Sequence, residues 1–207
     1  MFKTEIMTLA RERAEALGVR NVLVTTNSGA SVEAAQDALG PEYRFYAVGN
    51  PASAHDRGLV GHDGISEETQ QRLEAKGIQV VLQDQSMFQR DNLYFTGVPL
   101  SQVIAETGSN ERFGPLGMIF NVWQQMFGDG PRVCLEIAFM AADEGALPLD
   151  EDCMAIATPS SYCDLPDAAL ILRPTRSEDM FSGRLRIKDL ILAPTGNDVW
   201  LSNGPLP

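Results

Sequence analysis

The stretch VLVTTNSGAS, residues 22–31, joins an apolar run to small polar residues with a single glycine. Its first half, rich in valine and threonine, is typical of a buried β-strand. The residues that follow, SVEAAQDAL over 31–39, carry apolar side chains at helical spacing and stop at Gly40, which is the usual signal for a helix end. The stretch therefore predicts a strand that turns tightly into a helix.

The same alternation of helix and strand continues through the first part of the chain. A helix over residues 3–17 ends at Gly18 before the first strand. After the helix at 31–39 come, in order, a strand (RFYAV, 44–48), a helix (SEETQQRLEAK, 66–76) and a strand (IQVVL, 78–82). Alternating elements of this kind predict an α/β fold with a parallel sheet.

The second part of the chain is helical before it returns to strands. Residues 98–145 are predicted to be mostly helical, and strands are predicted for MAIAT (154–158), AALILR (168–173) and LRIKDLIL (185–192). Charges at Arg184, Arg186 and Lys188 suit a strand at the exposed edge of a sheet. Helices on both faces of a five- or six-stranded sheet are the simplest packing of this order, in one domain over residues 1–207.

The predicted connections differ in length in a way that indicates where a ligand binds. Returns from helix to strand are short, whereas four segments that follow strands are long and polar: residues 50–65, 83–97, 159–167 and 174–183. Ligands of open α/β sheets bind outside the carboxyl ends of the strands, and long loops in compact domains are usually functional. We expect all four segments to leave from that carboxyl edge and to border the site.

Charge and composition exclude several classes of partner. The formal net charge of −12 argues against nucleic acid and against anionic membranes, because the long-range field repels both.

No apolar stretch approaches the roughly 20 residues of a membrane helix, and residues 1–18 are too charged for a signal peptide. Three cysteines without a CxxC pair suggest reduced thiols, with Cys134 and Cys153 buried. We expect a cytoplasmic protein.

The turn after the first strand has the composition of a phosphate-binding loop. If the helix begins near Ala30, free backbone N–H groups at its positive end point outward, and Gly29 lets a ligand oxygen approach the backbone. The residues proposed to hold the phosphate are Thr25, Thr26, Asn27, Ser28, Gly29 and Ala30. The alternative is that Ser28 only caps the helix and Gly29 only turns the chain. Motifs for nucleoside triphosphates or dinucleotides are absent from the sequence.

Several stretches resemble a known family. TTNSGAS, residues 25–31, is similar to the loop that holds a phosphate in the C-terminal domain of pyruvate kinases. Residues 112–148, 155–159, 170–181 and 185–194 resemble a small family of stand-alone proteins, known from archaea and bacteria, that are similar to the pyruvate kinase α/β domain. MFGDG at 126–130, followed by VCLEIAFMAADEG at 133–145, is the most specific part of the likeness.

The resemblance implies a fold and a cofactor rather than a reaction. The family has a three-layer α/β/α sandwich with a mostly parallel mixed sheet, whose last strand we expect at an antiparallel edge. Its structurally described members carry flavin mononucleotide (FMN), and no biochemical activity is assigned to them. The barrel that performs phosphoryl transfer in pyruvate kinase does not fit in 207 residues, so kinase activity is not implied. Residues 49–66 and 83–112 match the family poorly.

Further residues are candidates for the same site. Thr158 ends one predicted strand, Arg173 ends the next, and Pro174 follows directly. We expect all three to contribute to cofactor binding, with Arg173 available to a phosphate or to a carboxylate. Glu136 and Asp143 share one face of an apolar helix, where each needs a partner. They are candidates for acid/base catalysis, the alternative being a structural hydrogen bond to a loop backbone or an arginine.

The loops add a histidine and aromatic candidates. His62, in one of two His-Asp pairs, is a candidate ligand contact or general base, or else an ordinary loop residue; the spacing from His55 does not fit a standard metal site. Phe88, Tyr94 and Phe95 suit stacking on a planar ring or contact with a second copy of the chain, which leaves a homo-oligomer open.

Three functions agree with these features. The first is a module that binds a small phosphorylated ligand, with FMN favoured by the resemblance. The second is a flavin-dependent oxidoreductase, and the third is a regulatory domain that binds sugar phosphates. Because no nucleophile, base and orienting group can be assembled from the spacing, the sequence does not choose between binding and catalysis.

Overall fold

The computed structural model describes residues 2–50, 64–83, 122–123, 126–157 and 168–192. The first part of this range contains α1 (Phe2–Leu17), β1 (Asn21–Thr25), α2 (Ala30–Leu39), β2 (Arg44–Val48), α3 (Glu67–Ala75) and β3 (Gln79–Val81). The second part contains α4 (Asp129–Asp143), β4 (Cys153–Ala157), β5 (Ala168–Arg173), a 3-10 helix η1 (Ser177–Ser182) and β6 (Arg186–Leu192). The predicted strands and the helices predicted over 3–17, 31–39 and 66–76 agree in type with the observed elements, and their ends agree within one or two residues. Helix α4 lies within the helical region predicted over 98–145, most of whose residues before 126 lie outside the described residues. The 3-10 helix η1 lies in a segment that was predicted to be a loop.

The strands form one six-stranded sheet in the order β3-β2-β1-β4-β5-β6. Strands β1 to β4 are parallel, β5 is antiparallel to β4, and β6 is antiparallel to β5. The α/β fold with a mostly parallel mixed sheet is therefore confirmed, and so is the antiparallel pairing of the last strand at an edge.

Helices cover both faces of the sheet, because the strands alternate buried side chains between two hydrophobic clusters. On one face α4 packs on the sheet, with Phe139 and Met140 against residues such as Ala155 and Leu170. On the other face α1, α2 and α3 pack through residues such as Ile6, Val32 and Leu73. Within the described residues, no helix combines the length and apolar character needed to cross a membrane.

The direction of β5 corrects one prediction. Because β5 is antiparallel to β4, Leu172 lies beside Cys153 and the carboxyl end of β5 lies at the amino edge of the parallel strands. Segment 174–183 therefore leaves from the edge opposite to the β1–α2 turn, and the prediction that it borders the carboxyl edge is wrong. An antiparallel pair of strands always sends its connections to opposite edges.

At the amino edge, a chain of polar contacts joins five strands. The buried Asn21 side chain donates to Glu151 Oε2 at 3.0 Å and accepts from the Tyr46 hydroxyl at 3.2 Å. Arg44 pairs with the same Glu151 oxygen. Asp152 accepts from Arg173 Nε at 2.7 Å and from the Lys188 ammonium, which links β4 to β5 and β6. These contacts satisfy polar groups that would otherwise weaken the end of the sheet.

Replacing Asp152 with asparagine is expected to lower the free energy of unfolding at neutral pH by about 2 kcal/mol, because two charge-assisted hydrogen bonds lose their acceptor charge. Burial alone would raise the pKa of Asp152, but the hydrogen bonds from Lys188 and Arg173 outweigh it and lower the pKa. The ionised form thus stabilises the folded state above the unfolded pKa of about 3.9, and this contribution disappears as pH falls through the lower folded-state pKa. Urea unfolding of both proteins along a pH series checks this: a difference that persists unchanged in acid contradicts it.

Candidate functional site

The parallel strands end together at the carboxyl edge, where the β1–α2 turn (residues 25–30) begins. Thr25 lies beside Val48 of β2, which lies beside Val81 of β3. The Thr26 N–H donates to the Val48 carbonyl at 3.0 Å, and Asn27 Oδ1 accepts from the Asn50 N–H at 3.0 Å. The turn is therefore held against the end of β2 on one side.

Inside the turn, two predicted ligand groups bond to each other. The Gly29 N–H donates to the hydroxyl oxygen of buried Thr26 at 2.9 Å. This hydrogen bond shapes the turn, and it removes the Gly29 N–H from the donors that a ligand can use. The Ala30 N–H faces Ser28 Oγ at 3.4 Å, which is long for a capping bond.

The donors that remain lie in the first turn of α2. The N–H of Glu33 makes the first bond of the helix, to the Gly29 carbonyl at 3.1 Å. The N–H groups of Ser31 and Val32 precede that bond, so they stand at the positive end of the helix dipole. Val32 is fully buried, so Ser31 is the residue of this pair that a ligand can reach. The hydroxyl of half-buried Ser31 is in the same position. This is an arrangement that suits a phosphate oxygen.

Gly29 has a packing role that the sequence did not reveal. Its φ of +85° is in the left-handed region, and a Cβ atom there would lie 2.8 Å from Arg72 Nη2, 3.1 Å from Leu73 Cδ2 and 3.3 Å from Thr69 Cγ2. The close approach that requires a glycine is therefore made by α3. The sequence suggested that Gly29 leaves room for a ligand oxygen. In the structure, the absence of a side chain at Gly29 leaves room for α3.

Arg72 of α3 and Lys76, the residue that directly follows this helix, lie beside the start of α2. Arg72 Nη2 donates to the Ser28 carbonyl at 2.6 Å, and its Nη1 lies 2.5 Å from Glu33 Oε1. Lys76 Nζ lies 2.6 Å from the same oxygen. Hydrogen bonds from Lys76 and Arg72 lower the pKa of Glu33, so its carboxylate is ionised. Two positive charges share one negative charge, which leaves a local surplus of positive charge in an acidic protein.

Sequence reasoning did not identify Arg72 and Lys76. They are four residues apart on one helix, so their shared face was visible in SEETQQRLEAK. Their position beside the turn was not, because it depends on the order β3-β2-β1 in the sheet.

The other predicted cofactor-binding residues are not assembled with the turn. Arg173 and Pro174 lie at the amino edge, where the Arg173 guanidinium bonds to Asp152, and the direction of β5 separates them from residues 25–30. The expectation that Arg173 contributes to the same site as the turn is corrected by this geometry. Thr158 lies outside the described residues.

Both carboxylates of α4 have the structural partners that were weighed as the alternative to catalysis. Glu136 Oε2 accepts from Arg132 Nη1 at 3.0 Å, one helical turn earlier. Asp143 accepts from the Ser177 N–H at 2.8 Å and from the Ser177 hydroxyl at 2.7 Å, so it holds the start of η1. Neither contact involves the β1–α2 turn.

Replacing Asp143 with asparagine is expected to lower the melting temperature by about 4 °C and to leave ligand affinity unchanged, because the amide cannot accept both Ser177 bonds. Differential scanning calorimetry and a titration of the same preparation with FMN check the two parts. An unchanged melting temperature with a reduced affinity would move Asp143 into the binding site.

The remaining candidates fall into two groups. His55, His62, Phe88, Tyr94, Phe95 and Cys163 lie outside the described residues. Cys134 and Cys153 are fully buried, as expected. The Cys134 thiol donates to the Ala155 carbonyl at 3.2 Å, and burial raises the pKa of the Cys153 thiol far above its ordinary value, which disfavours the reactive thiolate.

Comparison with protein families finds no family model that matches the chain. Among solved structures, the chain is similar to Cryptosporidium parvum pyruvate kinase in complex with ADP, with a TM-score of 0.36 and 12% sequence identity. The match covers 94% of this chain and 24% of that chain, so this protein spans about a quarter of the length of the kinase.

Proposed function

We propose that the carboxyl edge of the sheet binds a phosphate-headed ligand at the β1–α2 turn, and that this ligand is FMN. The observation that carries the proposal is the pairing of an open helix start with surplus positive charge. The Ser31 N–H precedes the first helical bond, while Arg72 bonds to the Ser28 carbonyl and shares Glu33 with Lys76.

Each part of this arrangement has a physical reason to favour a phosphate. Backbone N–H groups at a helix start provide directed hydrogen bonds, and the helix dipole adds attraction. The Arg72 guanidinium and the Lys76 ammonium provide positive charge, and their hydrogen bonds to Glu33 and to the Ser28 carbonyl hold that charge beside the helix start. Because the chain as a whole repels anions, capture must be local, and these groups lie within one turn of α2 and one face of α3.

The choice of FMN rests on the family resemblance. The donors present fit its phosphate head, and a sugar phosphate would use the same donors. When bound, the flavin would supply electron or hydride transfer. In this proposal, the start of α2 together with Arg72 and Lys76 binds and orients the phosphate. Gly29 allows α3 to pack against the turn.

The absorbance spectrum of the freshly purified protein is the first test, followed by mass spectrometry of the supernatant after heat denaturation. A flavin band together with the mass of FMN supports the full proposal. A colourless protein that releases another phosphorylated compound supports the phosphate site and overturns FMN. An empty supernatant, with no binding of FMN or sugar phosphates by calorimetry, overturns both.

The charge at the site is tested by substitution. Replacing Arg72 and Lys76 together with alanine is expected to weaken FMN binding at least tenfold, about 1.4 kcal/mol or more, because the cations beside the helix start are removed. Arg11→Ala is the matched control, since Arg11 is an exposed arginine that pairs with Glu15 on α1. Calorimetric titration compares the three proteins. Equal affinity in the double variant and the control contradicts the role of α3.

A further inference from the structure

The segment between β5 and β6 has the length and polarity of a functional loop, yet it lies at the amino edge, away from the proposed phosphate site. The side of this segment that faces α4 is held in place by three contacts. Asp143 of α4 binds the Ser177 N–H and hydroxyl, and the side chains of Met180 and Leu185 pack against the hydrophobic cluster of α4. A loop anchored at three points presents its outer side chains in one arrangement, which lowers the entropy lost when a partner binds.

The outer side of this segment combines arginines with an aromatic ring. Phe181 is 57% exposed, although its neighbour Met180 is directed to the core. The side chains of Arg176 and Arg184 are 50% and 73% exposed, and Arg186 is exposed beside Gly183. Exposed aromatic residues and arginines are the types enriched at protein interfaces. We call this surface the loop face; it consists of Arg176, Phe181, Arg184 and Arg186.

The charge of the loop face opposes that of the rest of the chain. Arg173 and Lys188, at the two ends of this segment, are paired with Asp152. Between them, residues 174–187 contain three arginines against two carboxylates, a net charge of +1 in a chain of net charge −12, so the remaining residues carry −13. Internal neutralisation is weak, since Arg176–Glu178 and Arg184–Asp179 are separated by 3.9 and 3.8 Å. Arg186 donates to the Leu185 carbonyl at 2.9 Å, and in the part of the chain that the structure describes it has no carboxylate within ion-pair distance.

We propose that the loop face docks a short acidic segment of another protein that also carries an apolar side chain for Phe181. Carboxylates pair with the arginines in bidentate geometry, and the ring supplies an apolar contact at the centre. A long polyanion or an anionic membrane is disfavoured because it extends over the acidic remainder of the surface. A short segment stays within the face, and charges farther than about 8 Å are screened at physiological salt.

The test is fluorescence anisotropy with a labelled peptide of the repeat Glu-Glu-Leu, using the full chain. We expect saturable binding that weakens as sodium chloride is added, and no binding of a Lys-Lys-Leu peptide. Arg184→Glu combined with Arg186→Glu should weaken binding at least tenfold, and Phe181→Ser at least fivefold, the size of an interface contact worth about 1 kcal/mol or more. Arg11→Glu on α1 is the control and should change affinity less than twofold.

Three results overturn the proposal. The first is the absence of saturable binding to wild-type protein. The second is an equal loss in Arg11→Glu and in the double variant, which would show a nonspecific charge effect. The third is self-association, measured by sedimentation, that the loop-face variants abolish, because the face would then be occupied by a second copy. Melting temperatures within about 3 °C of wild type confirm that the variants used are folded.

Discussion

Replacing Gly29 with valine is expected to lower the free energy of unfolding by about 3 kcal/mol. A residue with a Cβ atom in the left-handed region costs roughly 1–2 kcal/mol, and β-branching adds to the cost. The new side chain also meets Leu73 Cδ2 and Thr69 Cγ2 at 3.1 and 3.3 Å, and overpacking of this kind costs about 1–3 kcal/mol. Arg72 Nη2 is closer still, but the end of a flexible side chain moves at little cost. Urea unfolding at constant m-value measures the loss.

Gly18→Val separates the two contributions. Gly18 has a φ of +69°, and a Cβ atom there would have nothing within 4 Å, so its replacement carries the backbone cost alone. The excess loss in Gly29→Val is therefore the cost of displacing α3. Equal losses at both positions would show that α3 does not press on the turn, and the proposed placing of Arg72 and Lys76 would lose its support.

Replacing Leu73 with alanine is expected to lower the free energy of unfolding by about 3 kcal/mol. Leu73 is fully buried, whereas the other side chains of α3 are exposed or half-buried, so it is the main apolar anchor of this helix. Its loss leaves a cavity beside Gly29 and loosens the helix that carries Arg72 and Lys76. We therefore also expect faster hydrogen exchange in α3 and weaker FMN binding.

Leu9→Ala is the control for Leu73→Ala. Leu9 is 45% exposed on α1, and its truncation is expected to change stability by no more than about 0.5 kcal/mol. Hydrogen exchange that accelerates throughout the protein, rather than in α3 and the neighbouring turn, would contradict a local anchoring role. A loss no larger than that of Leu9→Ala would contradict the anchoring itself.

The order of helices and strands was predictable because each element has its own local pattern. VLVTT and RFYAV carry the β-branched and aromatic residues of buried strands, and glycines mark the helix ends at Gly18, Gly40 and Gly77. The presence of helices on both faces of the sheet was predictable from the alternation of helices and strands along the chain. These features depend on neighbours within a few residues, which is the range that a sequence pattern reports.

The direction of β5 and the neighbours of the turn were not predictable for a common reason. AALIL, residues 168–172, is apolar along its length and is buried on both faces, so its pattern is the same in either direction. The need for glycine at position 29 is readable from the sequence, but whether a ligand or a helix approaches it depends on distant residues. Asp143 likewise has its partner at Ser177, in a loop whose location depends on the reversal of β5.

The pairing of β1 with β4 at the centre of the sheet has a consequence for the rate of folding. Asn21 bonds to Glu151 across 130 residues of chain, whereas β1 to β3 follow one another closely, as do β4 to β6. Closing so long a loop costs conformational entropy before the contacts between β1 and β4 can stabilise the structure. Contacts between residues so far apart in sequence therefore slow folding. During synthesis, β1 exposes one edge until the carboxyl-terminal half emerges from the ribosome. The pairing of β1 with β4 is thus expected to form last. Until it forms, the unpaired edge of β1 is exposed, and the chain is most prone to aggregate.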